Sequence, residues 1–130
     1  MCIRDRLCAL PAFWTGILYD KTALEEALSI TRQFDYADLM NFRADVLKNG
    51  LNSTINNIEG WDLAERIVKI SSDGLNRRGK FNLYGDSEAV HLDFLKDIIK
   101  NKESNSMRMI KKYYLQDKLN QKELFKKESF

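Results

Sequence analysis

Few side chains in this sequence of 130 residues could do chemistry by type. They are a single histidine, His91, two cysteines, Cys2 and Cys8, an arginine pair, Arg77-Arg78, and a lysine-rich end. A histidine serving as general base or metal ligand wants acidic, cysteine or histidine partners beside it. Glu88 and Asp93 are near it in sequence but are read as lying off its helical face, so His91 is expected to be a surface histidine. Both cysteines fall within the first eight residues, with no further Cys or clustered His to complete a zinc site. Free thiols and the lack of a signal-like apolar N-terminus are expected of a reducing, cytoplasmic setting. Arg77 and Arg78 could contact a nucleotide or an anionic partner domain. Their spacing gives that contact no specific support, and their place at the end of a periodic stretch fits helix-terminal cations, the preferred reading.

From Lys96 to Phe130 there are ten Lys or Arg and five Asp or Glu, so this end carries +5 and the remainder −3. Lysines interleaved with Tyr113 and Tyr114 could suit a nucleic-acid backbone, but the interspersed acids fit a solvated helix face better. A net charge of +2 names no partner, and neither nucleic acid nor membrane is expected. There is no glycine-rich phosphate loop, no carboxylate pair at motif spacing beside a base, and no Ser/His or Cys/His arrangement. Catalytic, cofactor-binding and metal-binding residues are therefore none.

The elements around these residues read as helices. Apolar residues recur at three and four, no segment alternates as a half-buried strand does, and proline occurs once. The expected fold is all-α, with five or six helices and no sheet. Leu7–Asp20 is the one long apolar run, and the chain is expected to be organised around it. Pro11 should open a helix, and from Ala12 to Tyr19 the helix should be buried all round, with Thr15 and Gly16 admitting another backbone. At about 8–10 residues it is too short for a bilayer, which needs roughly 20. Asp20 or Thr22, the latter with Glu25 in capping-box spacing, should start a second helix with Leu24, Ala27, Leu28, Thr31 and Phe34 inward.

Asp35 should cap a third, facing inward with Tyr36, Leu39, Met40, Arg43 and Leu47 and stopping at Asn49-Gly50. Leu51–Gly60 reads as a polar loop, with Trp61 anchoring a helix whose inner positions are Leu63, Ala64, Ile67, Val68, Ser71 and Leu75. Lys80–Asp86 reads as a loop exposing Phe81 and Tyr84. Asp86 or Ser87 then caps a helix burying Val90, Phe94, Leu95, Ile98 and Ile99. Ser104 or Ser106 caps the last, with Met107, Ile110, Tyr113 and Tyr114 inward.

The run Leu-Cys-Ala-Leu-Pro-Ala-Phe-Trp-Thr-Gly-Ile-Leu-Tyr-Asp at 7–20 resembles a segment near the C-terminal end of glutamate–cysteine ligases of the plant and bacterial class. Leu24–Phe34, Asp35-Tyr-Ala-Asp-Leu, Lys48-Asn-Gly-Leu51 and Asp73-Gly-Leu-Asn-Arg-Arg-Gly79 follow in the family's order, so the resemblance runs to about Tyr114. It implies that the chain is the helical C-terminal portion of a larger α+β enzyme joining L-glutamate to L-cysteine with ATP and Mg2+. In such an enzyme, carboxylates on an antiparallel sheet hold magnesium, the glutamate γ-carboxyl is phosphorylated, and the cysteine amine displaces phosphate. Those groups precede Leu7 in the family pattern, so no catalytic residue is carried over and neither ATP nor Mg2+ is expected to bind residues 7–130.

The expected organisation is a non-native arm at 1–6, resembling translated sequencing adapter, the ligase-like helical region at 7–116, and a polar basic tail at 117–130. The expected partner is the missing N-terminal catalytic portion. If Phe13, Trp14, Ile17 and Leu18 are shaped to meet it, some of them should be exposed in this chain. The rival expectation is a self-contained helical interaction module without enzymatic activity.

Overall fold

A computed structural model describes the backbone of residues 3–115 and the side chains of residues 7–114. Met1, Cys2 and the basic tail expected at 117–130 lie outside the described residues. Six helices follow one another: α1 (Ile3–Leu18), α2 (Lys21–Thr31), α3 (Tyr36–Asn49), α4 (Gly60–Arg78), α5 (Asp93–Asn101) and α6 (Asn105–Leu115). The fold is all-α as expected, with one small addition.

That addition lies in the stretch read as a plain loop. Strands β1 (Thr54–Ile55) and β2 (Ile58–Glu59) pair antiparallel, Thr54 opposite Glu59 and Ile55 opposite Ile58. The two residues between them, Asn56 and Asn57, have φ of 46° and 66°. A two-residue turn with both φ positive follows the right-handed twist of a hairpin, and asparagine tolerates that region better than other side chains. The hairpin turns Ile55 inward, leaving it 3% exposed.

The hub is α4, not the first apolar run. One buried cluster joins Ala23, Ile30, Phe34, Ile55 and Ile70, and a second joins Ala12, Leu75, Ala89 and Leu92. Ile70 and Leu75 place α4 in both. Trp61, buried at its first turn, donates its indole N–H to the Asn52 Oδ1 at 2.8 Å. Gly79, with φ 60° and ψ 32°, closes the helix in the left-handed conformation that glycine adopts without penalty.

α1 meets α4 at a backbone-close crossing. A Cβ added to Gly74 would fall inside contact distance of the Gly16 carbonyl oxygen, and one added to Gly16 would strike the Ser71 carbonyl. Ser71 is fully buried and donates its hydroxyl to the Phe13 carbonyl at 2.7 Å. The close approach read at Gly16 is therefore present.

Pro11 lies inside α1 and does not begin it. It removes one backbone donor and crowds the carbonyl one turn earlier, a cost that helical bonds on both sides and packing on α4 offset. Residues 3–6 belong to the same helix. Nor is α1 buried all round. Ala9, Ala12 and Ile17 are buried, whereas Leu7, Leu10, Trp14 and Leu18 are exposed.

Elsewhere the helices stand where the periodicity puts them, but several are turned. Asp20 caps α2 by accepting from the Ala23 N–H at 2.8 Å. The buried line is Ala23, Ile30 and Phe34, leaving the expected Leu28 exposed. α3 has no buried residue, and Tyr36, Leu39, Met40 and Leu47 face outward, because Phe42 is the side chain that reaches the cluster between α2, the hairpin and α4.

Before α5, a 3-10 turn over Glu88–Leu92 is capped by the Ser87 hydroxyl, which accepts from the Ala89 N–H at 3.3 Å. Its three-residue period buries Ala89 and Leu92 and sends Val90 outward. Ser104 caps α6, accepting from the Met107 N–H at 3.3 Å, yet Ile110, Tyr113 and Tyr114 are exposed and not inward. Periodicity fixes which residues share a face; it does not supply the surface that covers them.

Gly74→Ala should destabilise the chain by more than the ~1–3 kcal/mol of ordinary overpacking, since the added methyl meets backbone that cannot rotate away. Gly79→Ala should cost less, because a Cβ there meets nothing within 4 Å and strains only the turn. Urea denaturation of both variants gives the comparison, and equal midpoints would remove the crossing from its central place.

Candidate functional site: an open helix face on a closed ion-pair frame

The chemistry-bearing residues do not converge on one centre. Among the described residues, no group of three or more His, Cys, Asp or Glu is placed to hold a metal ion. Each is held by a local structural partner or stands apart.

Both arginines at the end of α4 turn back onto the molecule. Arg77 forks onto Asp20, its Nη2 at 2.7 Å and Nε at 3.1 Å from Oδ1. Asp20 thus serves two elements, capping α2 and receiving the end of α4. The Arg77 hydrogen bonds, then the Ala23 N–H, hold the Asp20 carboxyl below its ordinary range, and Asp20 in turn raises Arg77. Arg78 bonds Glu88 through Nε at 3.2 Å and lies over the Tyr19 ring, 5.4 Å from its centroid. The pair therefore clamps the α1–α2 junction and the segment before α5 onto the C-terminal end of α4.

His91 is half-buried in the 3-10 turn. Glu88 stands three residues before His91 and so shares its side of the turn, as residues three apart would on an α-helix too; the expectation that Glu88 lies off the His91 face does not hold. Glu88 is committed to Arg78 and Asp93 to Lys96, at 3.2 Å and 3.6 Å. Cys8 is a half-buried free thiol. Tyr113 and Tyr114 pack edge to face with centroids 5.8 Å apart. Beside them, Lys111 pairs with Glu103 at 2.6 Å and Arg108 does so at 3.4 Å, Lys111 being the chief cause of a lowered Glu103 carboxyl. Arg108 and Lys111 thus share one carboxylate just before α6. No helix of the described residues is long and apolar enough to cross a membrane.

One surface stands out. Leu7, Leu10, Trp14 and Leu18 recur at three and four along α1 and are 69%, 64%, 51% and 55% exposed. Tyr19 extends the stripe, and Phe13 packs edge to face on Trp14. Single exposed apolar residues are ordinary, but a stripe of large ones on the helix most tightly fixed to the core marks an interface. The expected exposure is found at Trp14 and Leu18, while Ile17 is buried and Phe13 is half-buried in the second cluster.

Fold and surface together define a helical segment that presents an apolar face along one helix. No protein-family model matches the chain. Among characterised proteins, it is 32% identical over 108 residues to a chloroplastic glutamate–cysteine ligase of Arabidopsis thaliana, covering 83% of this chain and 20% of that protein. To the chloroplastic glutamate–cysteine ligase of Medicago truncatula it is 30% identical over 109 residues, 84% of this chain and 20% of the relative. With the Brassica juncea enzyme the identity is 40% over 74 residues, 57% and 14% of the two chains. The chain is therefore a relative of the glutamate–cysteine ligases, and it spans a fifth or less of the length of these relatives.

The Asp20–Arg77 pair generates a pH expectation. A carboxyl lowered by folding contributes stability that is present above its unfolded value and lost as pH falls through the lowered folded value. Unfolding midpoints of the chain should therefore drop on acidification below the ordinary aspartate range. In Asp20→Asn that drop should be shallower, as followed by circular dichroism across an acid series. Parallel acid profiles would show that the pair contributes nothing.

Proposed function

We propose that this chain is the helical C-terminal part of an ATP-dependent glutamate–cysteine ligase, which forms γ-glutamylcysteine in the first step of glutathione biosynthesis in a reducing, cytoplasmic setting. Its part there is support. The observation that carries the reading is the match to plant glutamate–cysteine ligases over 108–109 residues, more than four-fifths of the chain. The geometry agrees with it. The Gly16–Gly74 approach and the Ser71–Phe13 hydrogen bond fix α1 on one side, while its other side offers Leu7, Leu10, Trp14 and Leu18 to whatever the remainder of the enzyme places there.

ATP and magnesium would supply phosphoryl activation of the glutamate carboxyl. The described residues do not form a carboxylate set for the metal, so no step through either group is assigned to them. What these residues do is hold a face rigid, which is how a supporting element keeps catalytic groups elsewhere within the tight geometry that turnover needs.

The rival reading, a self-contained interaction module, draws on the two buried clusters, which close without outside help. It leaves the match to the ligases without a cause.

The test is reconstitution. Given ATP, Mg2+, glutamate and cysteine, the chain alone should form no γ-glutamylcysteine, and adding the remaining portion of a matching ligase should restore turnover. Leu10→Ser with Trp14→Ser should weaken that reconstitution by at least about tenfold, since each side chain is worth roughly 1.5–3 kcal/mol when buried. The melting temperature of the isolated double variant should stay near that of the parent, because both sites are exposed there. Activity from the chain alone, or reconstitution indifferent to the double substitution, would overturn the reading.

A further inference from the structure

We propose that the Asn49–Gly50 junction at the end of α3 is a site of spontaneous deamidation, a one-way charge switch gated by the opening of that helix's last turn. This inference does not depend on the ligase reading.

Asparagine is among the thermolabile side chains, and this is the only Asn-Gly pair in the 130 residues. In the reaction the Gly50 backbone nitrogen attacks the Asn49 side-chain carbon Cγ, and a C–N bond forms that closes a cyclic succinimide. The bond from Cγ to the amide nitrogen breaks, and that nitrogen leaves as ammonia with the proton given up by Gly50. Water, the one co-reactant, then opens the ring at either carbonyl. The product is aspartate or, where the main chain now runs through Cγ, isoaspartate. The attacking nitrogen is least hindered when its own residue lacks a Cβ.

The fold leaves this pair within reach of the reaction. Both residues are exposed, and a Cβ added to Gly50 would meet nothing within 4 Å. Two ties hold the reacting groups apart. Asn49 donates its side-chain amide to the Asp45 Oδ1 at 2.6 Å, and the Gly50 N–H donates to the Val46 carbonyl. Both ties belong to the last turn of a helix with no buried residue, so they release together when that turn frays, ahead of global unfolding.

The product does not fit the starting geometry. A carboxylate at position 49 has no proton to donate and faces Asp45 one turn back, where like charges four residues apart repel. It also adds negative charge at the carbonyl end of a helix. Isoaspartate lengthens the main chain just before Gly50, whose carbonyl accepts from the Ser53 N–H at 3.2 Å and the Ser53 hydroxyl at 2.9 Å. Asn52, within the same turn, holds the Trp61 indole at the start of α4. Conversion therefore loosens the turn that joins α3 to α4, and a converted molecule stays converted.

The test is to age the full chain in neutral buffer made with heavy-oxygen water, then digest it and locate the incorporated label by tandem mass spectrometry. Asn49 should convert ahead of the other described asparagines, Asn52 and Asn105 with their following serines included. Gly50→Ala should slow it by at least about tenfold, since the attacking nitrogen then has a Cβ beside it. Strain at a φ of 62° would loosen the turn and act the other way, so slowing is the mark of the chemistry and not of the fold. Asp45→Ala, which frees the amide, should speed conversion several-fold. Asn49→Asp, the product made directly, should quicken amide hydrogen exchange across 46–53 and leave the middle of α4 unchanged. Conversion at Asn49 no faster than at Asn52 or Asn105, conversion only in a denaturant, indifference to Asp45→Ala, or unchanged exchange in Asn49→Asp would each overturn the proposal.

Discussion

The structure depends on the crossing of α1 and α4. Two glycines let the backbones approach until no methyl fits between them, and one serine turns that proximity into a directed bond from Ser71 to the Phe13 carbonyl. Close packing of this kind is sensitive to single atoms because the surrounding interior has no slack to absorb them. The bond is also a long-range one, joining residues 58 positions apart. Every other arrangement is set relative to that joint. The second apolar cluster lies along it, and the arginines at the end of α4 reach Asp20 and Tyr19 only because α1 ends where it does.

The ion pairs play a different part. Exposed pairs add little to stability, since water solvates the separated charges nearly as well. Their geometry nonetheless specifies. The Arg77 fork on Asp20 is directional, and Asp20 is already fixed by capping α2. The frame orients the junction between helices that the apolar clusters hold together.

Much of this was legible in the sequence. The helix stops at Gly50 and Gly79, the caps at Asp20 and Ser104, the anchoring Trp61 and the small-residue approach at Gly16 are local signals, and each is found. The hairpin carried a local signal too, since Asn56-Asn57 sits between isoleucines. The facing of α3 and α6 was not legible. Their apolar stripes are real, but whether a stripe looks inward is decided by its neighbours, and Phe42 outcompetes Tyr36 and Met40 for the one cluster within reach of α3. Pro11 misled for a related reason, because preference for a helix start is a local tendency that tertiary packing on α4 overrides. As for the site, the lack of a catalytic motif was readable, whereas the open side of α1 needed the fold, since only the position of α4 shows which half of an apolar helix is left over.

α3 has no buried residue, while α4 has eight. That contrast divides the molecule into parts of unequal permanence. A helix held by half-buried Phe42 and Val46 and by the Asn56–Asp38 hydrogen bond to the hairpin is expected to detach and re-form more readily than the rest, opening its backbone amides to solvent deuterium through small excursions. Those in the middle of α4, beside its buried residues, are expected to exchange only as the whole chain comes apart. The asparagine turn beside α3 therefore stands at the border between a segment that breathes and a core that does not.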